Sequence, residues 1–442
     1  MQQPIFADFL SRRAVLRGSA VLGAGAAAST LPFTAPAFAQ ESSRWPGVRQ
    51  FVNGYVNRDR VACMVAGLGW QQNDPEFIAA GSRTFGGSGE VGPDTIFRIY
   101  SMTKPITGLA TVMCIDEGLL ALDQPLADIL PAFSDMQVQR QYDGPITRDN
   151  LVPAERPITI RHLLTHTSGL GYSIIQQGPI SAAYRANGVV PGQISNLAIA
   201  QEFFGGRPAS SLAEFADALA ELPLVYQPGT RWSYSVGLDL LGRVIEVVTG
   251  QAFDSFLEQR IFEPCGMTST GFRVQREDVG RFTGNYFLMG GIPLPVDLPS
   301  SSVYLDEPAF PFGGAGLVST SRDYDRFLQM LAGRGEIEGT RVASEAAVRL
   351  ATSNLFPETL ASDGAFTSNG RTFGFGAGGL VGQGETEGLF GWFGAAGTVG
   401  LVNLEWGLRH NLMTQYMPAE AYGVQADFPQ VVAQDAARLL EA

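Results

Sequence analysis

Lys104 is the only lysine in the 442-residue chain; the other members of its 30 Lys and Arg are all arginine. An amine can lose its proton when desolvated and act as a base, and a guanidinium cannot. Ser101 precedes Lys104 by three positions. On a helix that spacing puts both side chains on one side, about one turn apart. A helix starting here would place the Ser101 hydroxyl at the positive end of its dipole, with backbone N–H groups ready for an oxyanion. Residues of these types at this spacing make an activated nucleophile with a proton acceptor in reach. The plain alternative is a surface lysine beside an N-cap serine.

The flanking sequence supplies elements that can hold such a pair. Residues 61–68 and 77–81 read as strands, and 97–100 reads as a third that leads into Ser101, after a Gly-, Ser- and Asp-rich loop at 86–94. Pro105 falls in the first helical turn, where its missing N–H costs nothing. Ile106, Leu109, Ala110 and Met113 then line one helix face, and Gly118 stops it. Farther on, Leu212, Phe215, Ala216 and Leu219 form one helical stripe, and Leu238, Leu241, Ile245 and Val248 form another, closed by Gly250. Tyr234 sits on the loop just before that second helix, and a further helix is expected over 321–333. Residues 372–404 alternate Gly with aromatic and aliphatic residues, as paired strands do. Gly374 to Gly379 spell G-x-G-x-x-G but open no helix, which argues against a dinucleotide site. No G-x-S-x-G occurs, so the nucleophile elbow of the α/β-hydrolases is absent.

His162 and His166 stand four apart on a short predicted helix, a zinc-compatible spacing, yet Leu163 follows the first where metalloproteases have Glu. The third histidine, His410, is far away in sequence, so helix packing is expected and no metal or other cofactor. Cys63, Cys114 and Cys265 have apolar neighbours and read as buried thiols, although one pair could still join in an oxidising compartment. With 45% hydrophobic and 17% charged residues the chain is globular, and its net charge of −13 disfavours nucleic acid and anionic membrane surfaces as partners. Ser11-Arg12-Arg13 begins a segment resembling a twin-arginine export signal: a weakly apolar stretch broken by Pro32 and Pro36, then Ala37-Phe38-Ala39 before Gln40. Removal of residues 1–39 and a bacterial periplasmic location, with no stable membrane insertion after processing, are therefore expected.

Taken together, Ser101-Met102-Thr103-Lys104, the block His162-Leu163-Leu164-Thr165-His166-Thr167-Ser168-Gly169-Leu170, Tyr234-Ser235 and Phe312-Gly313-Gly314-Ala315-Gly316-Leu317-Val318-Ser319-Thr320 resemble the serine β-lactamase-like, penicillin-recognising superfamily. Within it, the family VIII carboxylesterases, relatives of class C β-lactamases, are most similar. The resemblance implies an α/β (α+β) fold: an antiparallel sheet flanked by helices and built from both chain ends, about 44–130 and 310–442, with a mainly helical region at about 131–309 inserted. It implies Ser101 as nucleophile, Lys104 as its partner, and Tyr234 as the group that helps deprotonate Ser101 and protonates the leaving group. It also implies an oxyanion hole from the N–H groups of Ser101 and Ala395. Trp392, Phe393, Gly394 and Val236 would bind the substrate at the edge of the pocket. Two departures from β-lactamases bear on the substrate. Val236 stands where they have Asn, and Trp392 stands where they usually have Lys. Without a cation there, a neutral ester suits the pocket better than a carboxylate-bearing β-lactam, and Phe393 would narrow the entrance. The expected protein is a serine hydrolase acting on a small-molecule ester or amide. A β-lactamase or D-amino-acid peptidase is the alternative, and a non-catalytic penicillin-binding scaffold is a further one.

Overall fold

The structure is a computed structural model and describes residues 44–197, 206–360, 366–368 and 371–441. The proposed signal segment at 1–39 lies outside the described residues. Helix α1 spans Pro46–Val56 and strands β1 and β2 span Cys63–Trp70 and Glu76–Gly81. Helices α2 (Thr103–Asp116), α3 (Ile160–Leu164), α4 (Gly237–Thr249) and α5 (Ser321–Ala332) follow. Strands β3 to β8 are Phe366–Ser368, Arg371–Phe375, Leu380–Val381, Leu389–Phe393, Val399–Asn403 and Leu408–Met413. Helix α6, Val424–Glu441, ends the chain's described part.

These eight strands form one sheet in the order β3-β4-β5-β6-β7-β8-β1-β2, antiparallel throughout. The first and last thirds of the chain thus meet at the β1–β8 pair, where Val65 lies opposite Met413. Side chains alternate across a strand, so each strand feeds two cores. On β8, Leu408 and Leu412 join the core under α1 and α6, with Trp45, Val52, Phe428 and Val432. Arg409, Asn411 and Met413 face the other way, toward α5 and the larger core that contains α2 and α4.

Helix α2 runs through the middle of that larger core. Every residue from Thr103 to Cys114 is buried, so the helix is enclosed on all sides rather than on the single apolar stripe expected. The Gly-rich run that spells G-x-G-x-x-G wraps its N-terminal half. A Cβ on Gly108 would lie 2.0 Å from the Ala377 carbonyl oxygen, and one on Gly378 would lie 2.4 Å from that of Lys104. Those glycines serve close backbone approach.

The strand expected at 97–100 is shorter, Ile96–Arg98, and pairs with Val318–Thr320. It stops because the chain turns at Tyr100, whose φ is +42°. Cys63, Cys114 and Cys265 are buried and unpaired, and burial pushes each thiol up to about 12. No helix among the described residues is long and apolar enough to cross a membrane.

Candidate active site

Ser101 lies in a single 3₁₀ turn, Tyr100–Met102, that runs directly into α2. The left-handed φ of Tyr100 is unfavourable for a bulky residue, by roughly 1–2 kcal/mol, and the surroundings hold it. The Asn285 Nδ2 donates to the Tyr100 hydroxyl at 2.9 Å, and the ring packs with Ala396, Met417, Phe287 and Ala395. One turn on, the Lys104 Nζ stands 3.3 Å from Ser101 Oγ and donates to the Gly314 carbonyl at 2.7 Å. Lys104 is fully buried and has no ion-pair partner among the described residues. Its remaining neighbours are rings: Nζ lies 4.4 Å from the centre of Tyr234 and 5.7 Å from that of Tyr172.

Tyr234 reaches this group because its loop is tied to the segment after α3. The N–H of Ser233 donates to the His166 carbonyl, that of Val236 to Gly171, and that of Gly229 to Thr167. His166 completes the tie, because its Nδ1 accepts from the Ser235 N–H at 3.3 Å and pairs with Ser235 Oγ at 3.0 Å. Its ring lies 4.7 Å from that of Tyr234. Burial, reinforced by the Lys104 charge, holds His166 well below the ordinary histidine range, so it is neutral at pH 7.

His162 has a different task. It closes a capping box at α3: Thr159 Oγ1 accepts from the His162 N–H, and His162 Nδ1 accepts from the Thr159 N–H. His410 lies on β8, against Phe428. Among the described residues, no three His, Cys, Asp or Glu side chains converge as a metal would require.

The third motif differs from expectation in where its side chains go. Trp392 is 2% exposed, on the inner face of β6 among Phe366, Phe375 and Tyr234. Its indole Nε1 donates to the Tyr234 hydroxyl at 3.2 Å. Strand alternation turns Trp392 inward, onto Tyr234. Val236, also expected at the substrate, is fully buried as the N-cap residue of α4. Phe393 follows Trp392 on the strand and packs against both cores. Gly394 passes so close to the turn before Ser101 that a Cβ would sit 2.4 Å from the Ile99 carbonyl oxygen. That contact places Ala395 beside Tyr100, and the Ala395 N–H has no hydrogen-bond partner among the described residues.

One member of the cluster escaped the motif reading. Asp239, in the first turn of α4, is completely buried, and its Oδ1 accepts from the Gly314 N–H at 2.8 Å. Burial pushes its carboxyl up to about 6, against the opposing pull of Lys104. A charged residue between Leu238 and Leu240, on an otherwise inward apolar helix, was the available signal.

The Beta-lactamase family matches residues 48–432 of this chain. Protein Rv1367c of Mycobacterium tuberculosis (strain ATCC 25618 / H37Rv) is 38% identical over 323 residues, 69% of this chain and 73% of its own. The Lovastatin esterase of Penicillium rubens (strain ATCC 28089 / DSM 1075 / NRRL 1951 / Wisconsin 54-1255) is 32% identical over 335 residues, 72% of this chain and 77% of its own. In fold the chain is similar to EstCE1, a hydrolase with promiscuous acyltransferase activity, at a TM-score of 0.69 and 23% identity over 88% of this chain and 97% of that one. The match runs from α1 into α6 and takes in every element that carries Ser101, Lys104 and Tyr234, and on that ground the chain belongs to the Beta-lactamase family of serine β-lactamase- and transpeptidase-like proteins.

Proposed function

We propose that the protein is an exported serine hydrolase that cleaves carboxylic esters through an acyl-enzyme on Ser101. The observation that carries this is the Lys104 Nζ, 3.3 Å from Ser101 Oγ and without an anionic partner to fix its proton. As Oγ attacks the ester carbonyl, its proton passes to Nζ and the carbonyl oxygen gains the negative charge. The N–H groups of Ser101 and Ala395 receive that oxyanion. Tyr234 hands its proton to the departing alcohol; it then takes one from the attacking water, and as the acid leaves, Ser101 Oγ recovers its proton from Nζ. The Trp392 indole donates to Tyr234 Oη at 3.2 Å and so holds that oxygen in place for its proton transfers.

A neutral ester is the preferred substrate because Trp392 brings Tyr234 a neutral donor in place of a cation, and the lone lysine is already beside Ser101. The relatives lend weight on the same side: besides the Lovastatin esterase, Esterase EstB of Burkholderia gladioli is 35% identical over 54% of this chain. Export to the periplasm rests on Arg12 and Arg13 and on the Ala37-Phe38-Ala39 cleavage pattern.

A fluorophosphonate probe followed by mass spectrometry should label Ser101 in the wild type and no residue in Ser101→Ala. In a panel of short p-nitrophenyl esters, nitrocefin and a D-Ala-D-Ala peptide, kcat/KM should favour the ester by more than about tenfold, or about 1.4 kcal/mol. A label on another serine overturns the site, and efficient nitrocefin turnover with poor ester turnover overturns the esterase reading.

A further inference from the structure

Lys104 has a carboxylate near it that it does not touch. The Asp239 Oδ1 accepts from the Gly314 N–H at 2.8 Å, and the Gly314 carbonyl accepts from Lys104 Nζ at 2.7 Å. One residue thus separates the acid from the amine. Asp239 lies so flat against Gly314 that a Cβ there would sit 2.5 Å from Oδ2. That Oδ2 is itself buried and has no hydrogen-bond partner among the described residues. An unsatisfied buried carboxylate oxygen costs several kcal/mol if its charge is not offset, so the site needs a cation nearby. Lys104 is the basic residue that acts on it most strongly.

We propose that Asp239 is a positioning residue for Lys104: it fixes Gly314, whose carbonyl aims the amine at Ser101, and its negative charge offsets the ammonium that forms when Lys104 takes the serine proton. The proposal rests on the reading of Ser101 and Lys104 given above. The proton leaves Ser101 Oγ for Nζ as the Oγ–carbon bond forms, creating one positive and one negative charge. Ala395 and Ser101 face the negative one; Asp239, across Gly314, faces the positive one. A buried aspartate behind a catalytic base works this way without accepting the proton itself. Gly314 insulates the pair from direct contact, which would form a tight ion pair and hold the amine permanently charged.

The groups that face Asp239 sharpen the pH dependence. From α2 comes Lys104, with His166, held well below its ordinary value, near it, and from the segment after α3 comes Tyr172, whose hydroxyl is raised well above its own. Tyr234 adjoins Tyr172. The Phe312–Leu317 segment contributes no titratable side chain. Neither His166 nor Tyr172 changes charge near pH 6, whereas Asp239 titrates at about 6. Acylation should weaken as the pH drops through that value and the compensating charge is lost.

The test compares wild type with Asp239→Asn, which keeps an oxygen for the Gly314 N–H and removes the charge. Acylation by a fluorophosphonate probe is timed from about pH 5 to about pH 9, with kcat and KM for a short p-nitrophenyl ester alongside. The expected result is an acid limb near pH 6 in the wild type that disappears in Asp239→Asn. With it should come a loss of at least about tenfold in kcat at about pH 8 and a KM within about twofold of wild type. An unchanged kcat and acid limb in Asp239→Asn would reduce Asp239 to a hydrogen-bond acceptor and overturn the proposal. Should Asp239→Asn fail to fold, the wild type decides alone: acylation that does not fall between about pH 7 and about pH 5 overturns it too. A wild type that is not labelled on Ser101 sinks the site reading itself, an outcome distinct from either of these.

Discussion

Among the described residues three basic side chains, Arg98, Lys104 and Arg409, are completely buried, and they are treated in opposite ways. Arg98 bonds to Asp297 Oδ2 at 2.8 Å through Nε and to the Thr283 carbonyl at 2.7 Å through Nη1, and its guanidinium lies 3.9 Å from the centre of the Phe282 ring. Arg409 bonds to Asp325 at 2.9 Å and to the carbonyls of Gln71 and Asn73. Each guanidinium has a carboxylate and backbone oxygens along its fork, as a charge that can never be discharged requires. Lys104 has one carbonyl, one serine hydroxyl and two aromatic rings. Gly314 lies between it and the Asp239 carboxylate, bonding to one through its carbonyl and to the other through its N–H. Permanent charges are neutralised in place, and the one amine has no ion-pair partner among the described residues.

The sharpest way to break that contrast is to take away a saturated cation. Arg409→Met leaves Asp325 buried, with its other oxygen already lacking a partner. Urea unfolding should show a loss of about 3–5 kcal/mol. Activity per fluorophosphonate-titrated site should be unchanged, because α5 and β8 hold this pair away from Ser101. A large loss of turnover in folded Arg409→Met would mean that the two kinds of buried cation are not separable.

Lys104→Arg makes the unsaturated site like the saturated ones. It keeps the positive charge and approximate reach but removes the base, so the rate should fall by at least about a hundredfold, or about 2.7 kcal/mol, with the fold retained by circular dichroism. Near-normal turnover would show that Lys104 supplies only a positive field.

The smallest effect is expected at Trp392. Trp392→Phe keeps a ring between Phe366 and Phe375 but loses the donor to Tyr234. A fall of about tenfold in kcat is expected, in line with one hydrogen bond of about 1.4 kcal/mol to a reacting hydroxyl. Tyr234→Phe should cost more than Trp392→Phe, since it deletes the proton itself. Equal activity of wild type and Trp392→Phe in steady-state assays would return the indole to a packing role.

What the sequence determined was local or periodic. Ser101 and Lys104 meet because three residues along one turn make a fixed distance, whatever surrounds them. The strands at 63–70 and 76–81 follow from short apolar runs, those within 371–403 from alternation, and the ends of the helices at Gly118 and Gly250 from residues able to take the positive φ found there, 74° and 68°. The motif string also singled out Tyr234, whose ring the fold brings to 4.4 Å from Lys104 Nζ, although nothing in its own neighbourhood fixes that distance. Only the tertiary structure decided which way Trp392 faces, because a one-residue change in strand register would exchange it with Phe393. Only it showed Asp239 behind Gly314, a relation between segments joined by no periodicity. It also showed Tyr100 held in a left-handed turn by Asn285, far along the chain. Those features depend on how the two ends of the chain close at β1 and β8 around α2. Closure of that kind is a many-body packing outcome, which spacing along the chain does not encode.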